Sequence, residues 1–186
     1  MATKQPKMSS NTTLSKEKKI QFNPIGIIHS PFKQIVGTPI QTVFSNDGEG
    51  AIEIFPRFKE GLKDLEGFSH IIVIYHFHKS KGYRLLCRPF LDDVERGLFA
   101  TRAPRRPNPI GLSVVKLKQI RNTTLSVSSL DILDGTPLID IKPYIPHFDS
   151  PKTLKVGWFK KAFEKKKSTI LADDRFTEKG IEKTVE

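Results

Sequence analysis

HIIVIYHFH at residues 70–78 and LSVVKLKQI at 112–120 decide the fold class, because both are rich in β-branched and aromatic residues and both are too short for ordinary helices. Shorter runs of the same kind surround them: IGIIH at 25–29, AIEIF at 51–55, TLSVSSL at 124–130 and PLIDI at 137–141. Several alternate apolar with polar residues, the pattern of a strand with one buried face. The connections SNDGEG, RNTT and LDGTP supply the Gly, Asn and Asp that tight turns require. Many short strands with such turns predict an all-β, mainly β, barrel or sandwich. FPRFKEGLKDLEGFSH breaks the pattern, with Phe58, Leu62 and Leu65 at helical spacing before Gly67, and predicts one short helix. A second is expected over 158–167, where Trp158, Phe159, Ala162 and Phe163 lie beside lysines. That segment either packs as an amphipathic helix or presents Lys160, Lys161 and Lys165 to RNA phosphates.

A chain of 186 residues with 37% hydrophobic residues supports one ordinary domain. The expected organisation is a flexible basic arm over 1–20, a barrel over 21–150 and a basic extension over 151–186. Residues 1–19 hold five Lys against one Glu, the stretch 20–150 holds 16 basic against 13 acidic residues, and 151–186 holds ten against six. Most of the net charge of +11 therefore sits at the ends, where it suits either solubility or attraction to a polyanion. No apolar run is long enough for a membrane span or a signal peptide, so a cytoplasmic protein without membrane contact is expected. One cysteine, Cys87, rules out a disulfide framework and reads as a small apolar residue.

GLFATRAPRRPNPIG, residues 97–111, is the most unusual stretch. Pro104, Pro107 and Pro109 forbid regular helix and central strand, so the chain is a stiff extended loop. Arg96, Arg102, Arg105 and Arg106 crowd it without an intervening carboxylate, a site for phosphate or carboxylate. Asn108, held between two prolines, offers two donors and an acceptor suited to a purine edge. In LDILDGTPLIDIKPYIP, residues 130–146, Asp134 to Pro137 form a turn, and Asp131, Asp134 and Asp140 match no calcium loop. His76 and His78 alternate along a strand like a metal pair, but no third ligand accompanies them, and no metal is expected. No GxGxxG fingerprint, Walker loop or nucleophile elbow occurs.

IGIIHSPF at 25–32, GLKDLEGFSHIIVIYHFHKS at 61–80, GLFATRAPRRPNPIGLSVV at 97–115 and LDILDGTPLIDIKPYIP at 130–146 resemble the successive signature blocks of the TsaA-like (TrmO) family. The resemblance covers roughly residues 22–150. It implies a small β-barrel, not a Rossmann methyltransferase, that binds S-adenosyl-L-methionine as a homodimer. It also implies methylation of N6 in the threonylcarbamoyl-modified adenosine beside the tRNA anticodon. Carried over by position, Gln41, Thr42, Val43, His78, Lys79, Arg102, Leu112, Leu133, Asp134, Gly135 and Thr136 fall on cofactor contacts. Asn108 falls nearest the target base, with Asp134, Asp140 or Tyr144 as the proton acceptor. Arg105, Arg106 and the lysines of 160–165 would meet the anticodon-loop phosphates. The longer bacterial members continue into a further domain where this sequence has a short basic tail, which leaves a different acceptor, or a cofactor-sensing or RNA-binding module, as alternatives.

Overall fold

The computed structural model describes residues 19–45, 48–165 and 170–177, so the expected N-terminal arm, apart from its last two residues, lies outside the described residues. Six strands close into a barrel: β1 (Gly26–His29), β2 (Gly50–Ile54), β3 (His70–His76), β6 (Ile110–Arg121), β7 (Thr124–Ser128) and β8 (Thr136–Pro143). Two further short strands, β4 (Leu86–Cys87) and β5 (Arg96–Gly97), pair in a separate excursion. The barrel order is β1-β2-β7-β6-β3-β8, and β8 closes it by pairing antiparallel with both β3 and β1. Closure leaves these strands no unpaired edge.

Alternation sets the interior. On β3, Ile71, Val73 and Tyr75 point inward, and on β6 Gly111, Ser113, Val115 and Leu117 do the same. Leu112 consequently faces outward and is about half exposed. Gly111 lies opposite Tyr75 in the register, and a Cβ there would meet the tyrosine ring at 2.2 Å. The missing side chain lets the Tyr75 ring lie across the barrel end.

The connections divide unequally between the two ends. The long segments after β1, after β3 and between β7 and β8 all emerge at one end, where the proline-rich loop lies. At the other end, the segment after β2 folds into 3-10 turns at Pro56–Leu62 and Leu65–Gly67, whose Leu62 and Leu65 pack into the barrel. These turns replace the expected single helix: Asp64 adopts a left-handed conformation with φ 66°, which interrupts it. The expected second helix is α2 (Phe159–Lys165), preceded by a single turn, α1 (Pro146–Asp149). After leaving β8 at the plugged end, the chain returns across the molecule. There Ala162 and Ile170 bury against Leu91, Ile40, Phe44 and Trp158 at the loop-bearing end.

Candidate functional site

The three long connections and the returning C-terminal segment enclose a cleft of about 820 Å³. Its walls are mostly apolar, including Ile35, Phe44, Phe77, Phe90, Trp158 and Phe176. Few polar groups interrupt them, the composition of a small-molecule site.

The floor is set by the barrel interior. Asp131 follows β7, flanked by the buried Leu130 and Ile132, and accepts a hydrogen bond from Ser113 Oγ at 2.7 Å. That bond uses the only proton of the serine hydroxyl, so Tyr75 Oη, 3.2 Å from Ser113 Oγ, is the donor to it. Tyr75, Ser113 and Asp131 thus form a chain polarised toward the carboxylate. Burial pushes the Asp131 carboxyl up to about 6, partly offset by the Ser113 bond and by Arg102. Burial also raises the Tyr75 phenol well above its ordinary value.

One wall carries His78 and Thr136. Thr136 Oγ1 donates to the Leu133 carbonyl at 2.7 Å, so His78 Nδ1, 3.2 Å away, donates to Thr136 and leaves Nε2 as an acceptor. Burial, then Lys79 and His76, lowers the His78 pKa and favours that neutral ring. His78 lies beyond the end of β3, in the turn where its amide bonds the His76 carbonyl, so the two histidines do not share a strand face as expected. Among the described residues no group of three His, Cys, Asp or Glu could hold a metal ion. Nor is any described helix long and apolar enough to cross a membrane.

The opposite wall joins two loops. Arg102 Nη1 donates to Gln41 Oε1 at 2.7 Å, tying the proline-rich loop to the segment after β1. Thr42 and Val43 follow in a 3-10 turn, Thr42–Phe44. The proline-rich loop is held internally: Ser80 Oγ donates to Pro104 O at 3.0 Å, and Arg106 Nη1 to Thr101 O at 3.0 Å. Arg105 Nε donates to Lys81 O at 2.9 Å. Both arginines are therefore held by main-chain carbonyls and keep their charge for another partner.

Of the residues expected at the site, Gln41, Thr42, Val43, His78, Lys79, Arg102, Leu133 and Thr136 line this cleft together. The others lie elsewhere. Asp134 turns away, accepting Lys33 Nζ at 2.7 Å and the Ser30 amide at 3.0 Å, and those contacts hold its carboxyl below the usual range. Gly135, at φ 72°, makes the turn itself. Leu112 is on the outer barrel face. Asp140 pairs with Lys142 at 2.8 Å and lines a hollow at the plugged end, while Tyr144 bonds Ser150 at 2.7 Å. Asn108 is exposed on the proline-rich loop, its carbonyl accepting the Ile110 amide. None of the four residues expected to be catalytic lines the cleft. Lys160 and Lys161 are exposed on α2; Lys165 ends that helix, with its side chain outside the described atoms.

Sequence reasoning weighed Asp131 only against a calcium loop and passed over Ser113, Tyr75 and the C-terminal wall. For Asp131 a signal existed, a carboxylate between two fully apolar neighbours at a strand end. For Trp158 and Phe176 none did, since only tertiary return brings them to the cleft.

A cleft with a planar apolar lining and a desolvated carboxylate on its floor suits a ligand carrying a flat ring and a positive charge. Residues 27–150 match the family model of the tRNA-methyltransferase O N-terminal domain. A probable S-adenosyl-L-methionine-binding protein of Pyrococcus abyssi is 54% identical over 146 residues, spanning 78% of this chain and 79% of that one. The Escherichia coli tRNA (adenine(37)-N6)-methyltransferase is 37% identical across 70% of this chain and 60% of its own. The crystal structure of TrmO from Pseudomonas aeruginosa superposes with a TM-score of 0.65 at 37% identity, covering 75% of this chain and 62% of that one. The chain thus spans less than two thirds of the length of the Escherichia coli and Pseudomonas aeruginosa relatives. By this domain match and these identities, the chain belongs to the TrmO (tRNA-methyltransferase O) family, through that family's N-terminal domain.

Proposed function

We propose that this protein is an S-adenosyl-L-methionine-dependent methyltransferase acting on N6 of the adenosine at tRNA position 37, in its threonylcarbamoyl-modified form, and that it works in the cytoplasm. The observation that carries the reading is Asp131. Its carboxylate is desolvated in an apolar cleft, and Arg102, which faces it, gives its guanidinium to Gln41. A cationic ligand would supply the missing counter-charge. The donor set fits the cofactor: apolar walls for the adenine, His78 Nε2 as an acceptor, Arg102 for a carboxylate, and Asp131 for the sulfonium or ammonium charge.

When bound, S-adenosyl-L-methionine supplies an electrophilic methyl group on a sulfonium. The protein's own work is alignment and exclusion of water. Ser113 and Tyr75 fix the Asp131 carboxylate, Thr136 fixes the His78 tautomer, and the Arg102–Gln41 bond joins the two loops of the opposite wall. Leu112, facing outward beside the exposed Ile110, reaches a cofactor only from a second copy, so the homodimer belongs to this reading. Asn108 and the cations of the proline-rich loop face the RNA.

The test is transfer of labelled methyl from the cofactor to total tRNA from a strain lacking this gene, followed by nucleoside analysis. Label in N6-methylated threonylcarbamoyladenosine is expected. Cofactor binding without label would overturn the enzyme reading in favour of a cofactor sensor or another acceptor, a reading favoured by relatives named only as S-adenosyl-L-methionine-binding proteins.

A further inference from the structure

Several large apolar side chains stand exposed at the rim of the cleft. Phe99 is 76% exposed and Phe159 is 36% exposed, yet both line the cleft. Phe99 is held by its backbone, Phe159 by its helix and by neighbouring rings. Phe99 sits in the 3-10 turn Leu98–Ala100 at the entrance to the proline-rich loop, with the Arg106 guanidinium 5.9 Å from its ring centroid. Phe159 starts α2 and stacks on Phe163 at 5.4 Å and 24° between planes. Trp158 Nε1 donates to the Ala100 carbonyl at 2.9 Å, so both rings hang from one anchored point. One belongs to the family domain; the other comes from the segment that follows it.

We propose that Phe99 and Phe159 form a stacking platform for unpaired RNA bases at the cleft mouth, resting on the tRNA reading above. The Arg106 guanidinium beside Phe99 and the exposed Lys160 next to Phe159 on α2 supply positive charge at the rings, which matches a phosphate backbone. A helical stem hides the faces of its bases, whereas a loop presents them, so rings flanked by cations select a single-stranded loop. The C-terminal segment thereby supplies one of the two rings.

The test compares wild type, Phe99→Ala and Phe159→Ala in binding two synthetic RNAs, an anticodon-type hairpin with its open loop and a fully paired duplex of equal length. The urea midpoint, measured in parallel, checks that each variant is folded. Either alanine variant is expected to lose about tenfold or more of its loop affinity, with duplex binding unchanged, and Phe→Tyr at the same positions is expected to retain it. Equal loop binding by wild type and both alanine variants would overturn the platform alone. Failure of wild type to bind either RNA would overturn the tRNA reading and the platform with it.

Discussion

Two buried apolar clusters hold this molecule, and they differ in what fixes them. In the barrel, Ile28, Ile52, Ile71, Val73, Val115, Leu125 and Leu138 are fully buried on strands paired through long registers, the longest of them, β3 with β6, running unbroken from His70↔Lys116 to His76↔Ile110. In the cleft-side cluster, Leu91, Ala162 and Ile170 come from three separate segments. Among the described residues, residues 170–172 are tied to the segment after β1 by Ile40 N to Ile170 O at 3.3 Å, and by Gly37 N to Ala172 O and Ala172 N to Thr38 O at 2.8 Å each. The first cluster is a frame that opens only with global unfolding. The second can open locally, the property expected of a wall that must admit a ligand.

The sharpest way to break this contrast is to cut a cavity in the frame. Ile71 is fully buried, and Ile71→Ala should cost about 2–5 kcal/mol, read as a large fall in the urea midpoint of the whole protein. A fall confined to the C-terminal segment would show that the barrel does not control global stability.

Asp131→Asn tests the join between the clusters, and its sign is opposite. The fold raises this carboxyl from 3.8 to about 6, so the folded form holds the proton more tightly than the unfolded chain. Stability is therefore lost as pH rises from about 4 to about 6, and the full cost is present above that window. The asparagine removes the cost, so the variant should be more stable at pH 8 by about 1–3 kcal/mol and no more stable at pH 3. Its affinity for the cationic cofactor should fall, and wild-type affinity should fall as pH drops through about 6. Calorimetric binding and unfolding at the two pH values would check both. A variant destabilised at pH 8 would mean that the Ser113 bond outweighs the desolvation of the charge.

The same contrast explains what could be read from the sequence. β6 is legible because Val115, Leu117 and their outward neighbours alternate, and its expected span 112–120 became Ile110–Arg121. β4 and β5 were missed because two residues each give no period. Cys87, expected as an inert buried residue, is half-buried with its Sγ 3.5 Å from Thr101 Oγ1. At the site, sequence blocks located the loops but not the direction of each side chain. Asp134 and Asp131 are three residues apart in the same block; one is drawn outward by Lys33, the other held inward by Ser113. Such choices depend on partners distant in sequence. Asp140 and Leu112 were placed by block membership, whereas strand parity turns Leu112 outward and the register shift between Leu138 and Asp140 breaks the inward alternation of Thr136 and Leu138 before it reaches Asp140.

Trp158→Phe gives the smallest expected effect and the finest test. It keeps most of the ring but removes the indole donor to Ala100 O, a bond worth about 0.5–1.5 kcal/mol. If the two clusters open independently, the barrel's urea midpoint should stay in place. Hydrogen exchange in α2 and in residues 170–172, which bond the loop after β1, should then quicken about two- to tenfold. Saturating cofactor should suppress much of that increase, because a ligand that needs the closed wall binds the docked segment and not the open one. A shift in the barrel midpoint instead would mean that tail and barrel unfold as one unit. The wall would then be as rigid as the frame, and access to the cleft would have to come from the exposed proline-rich loop.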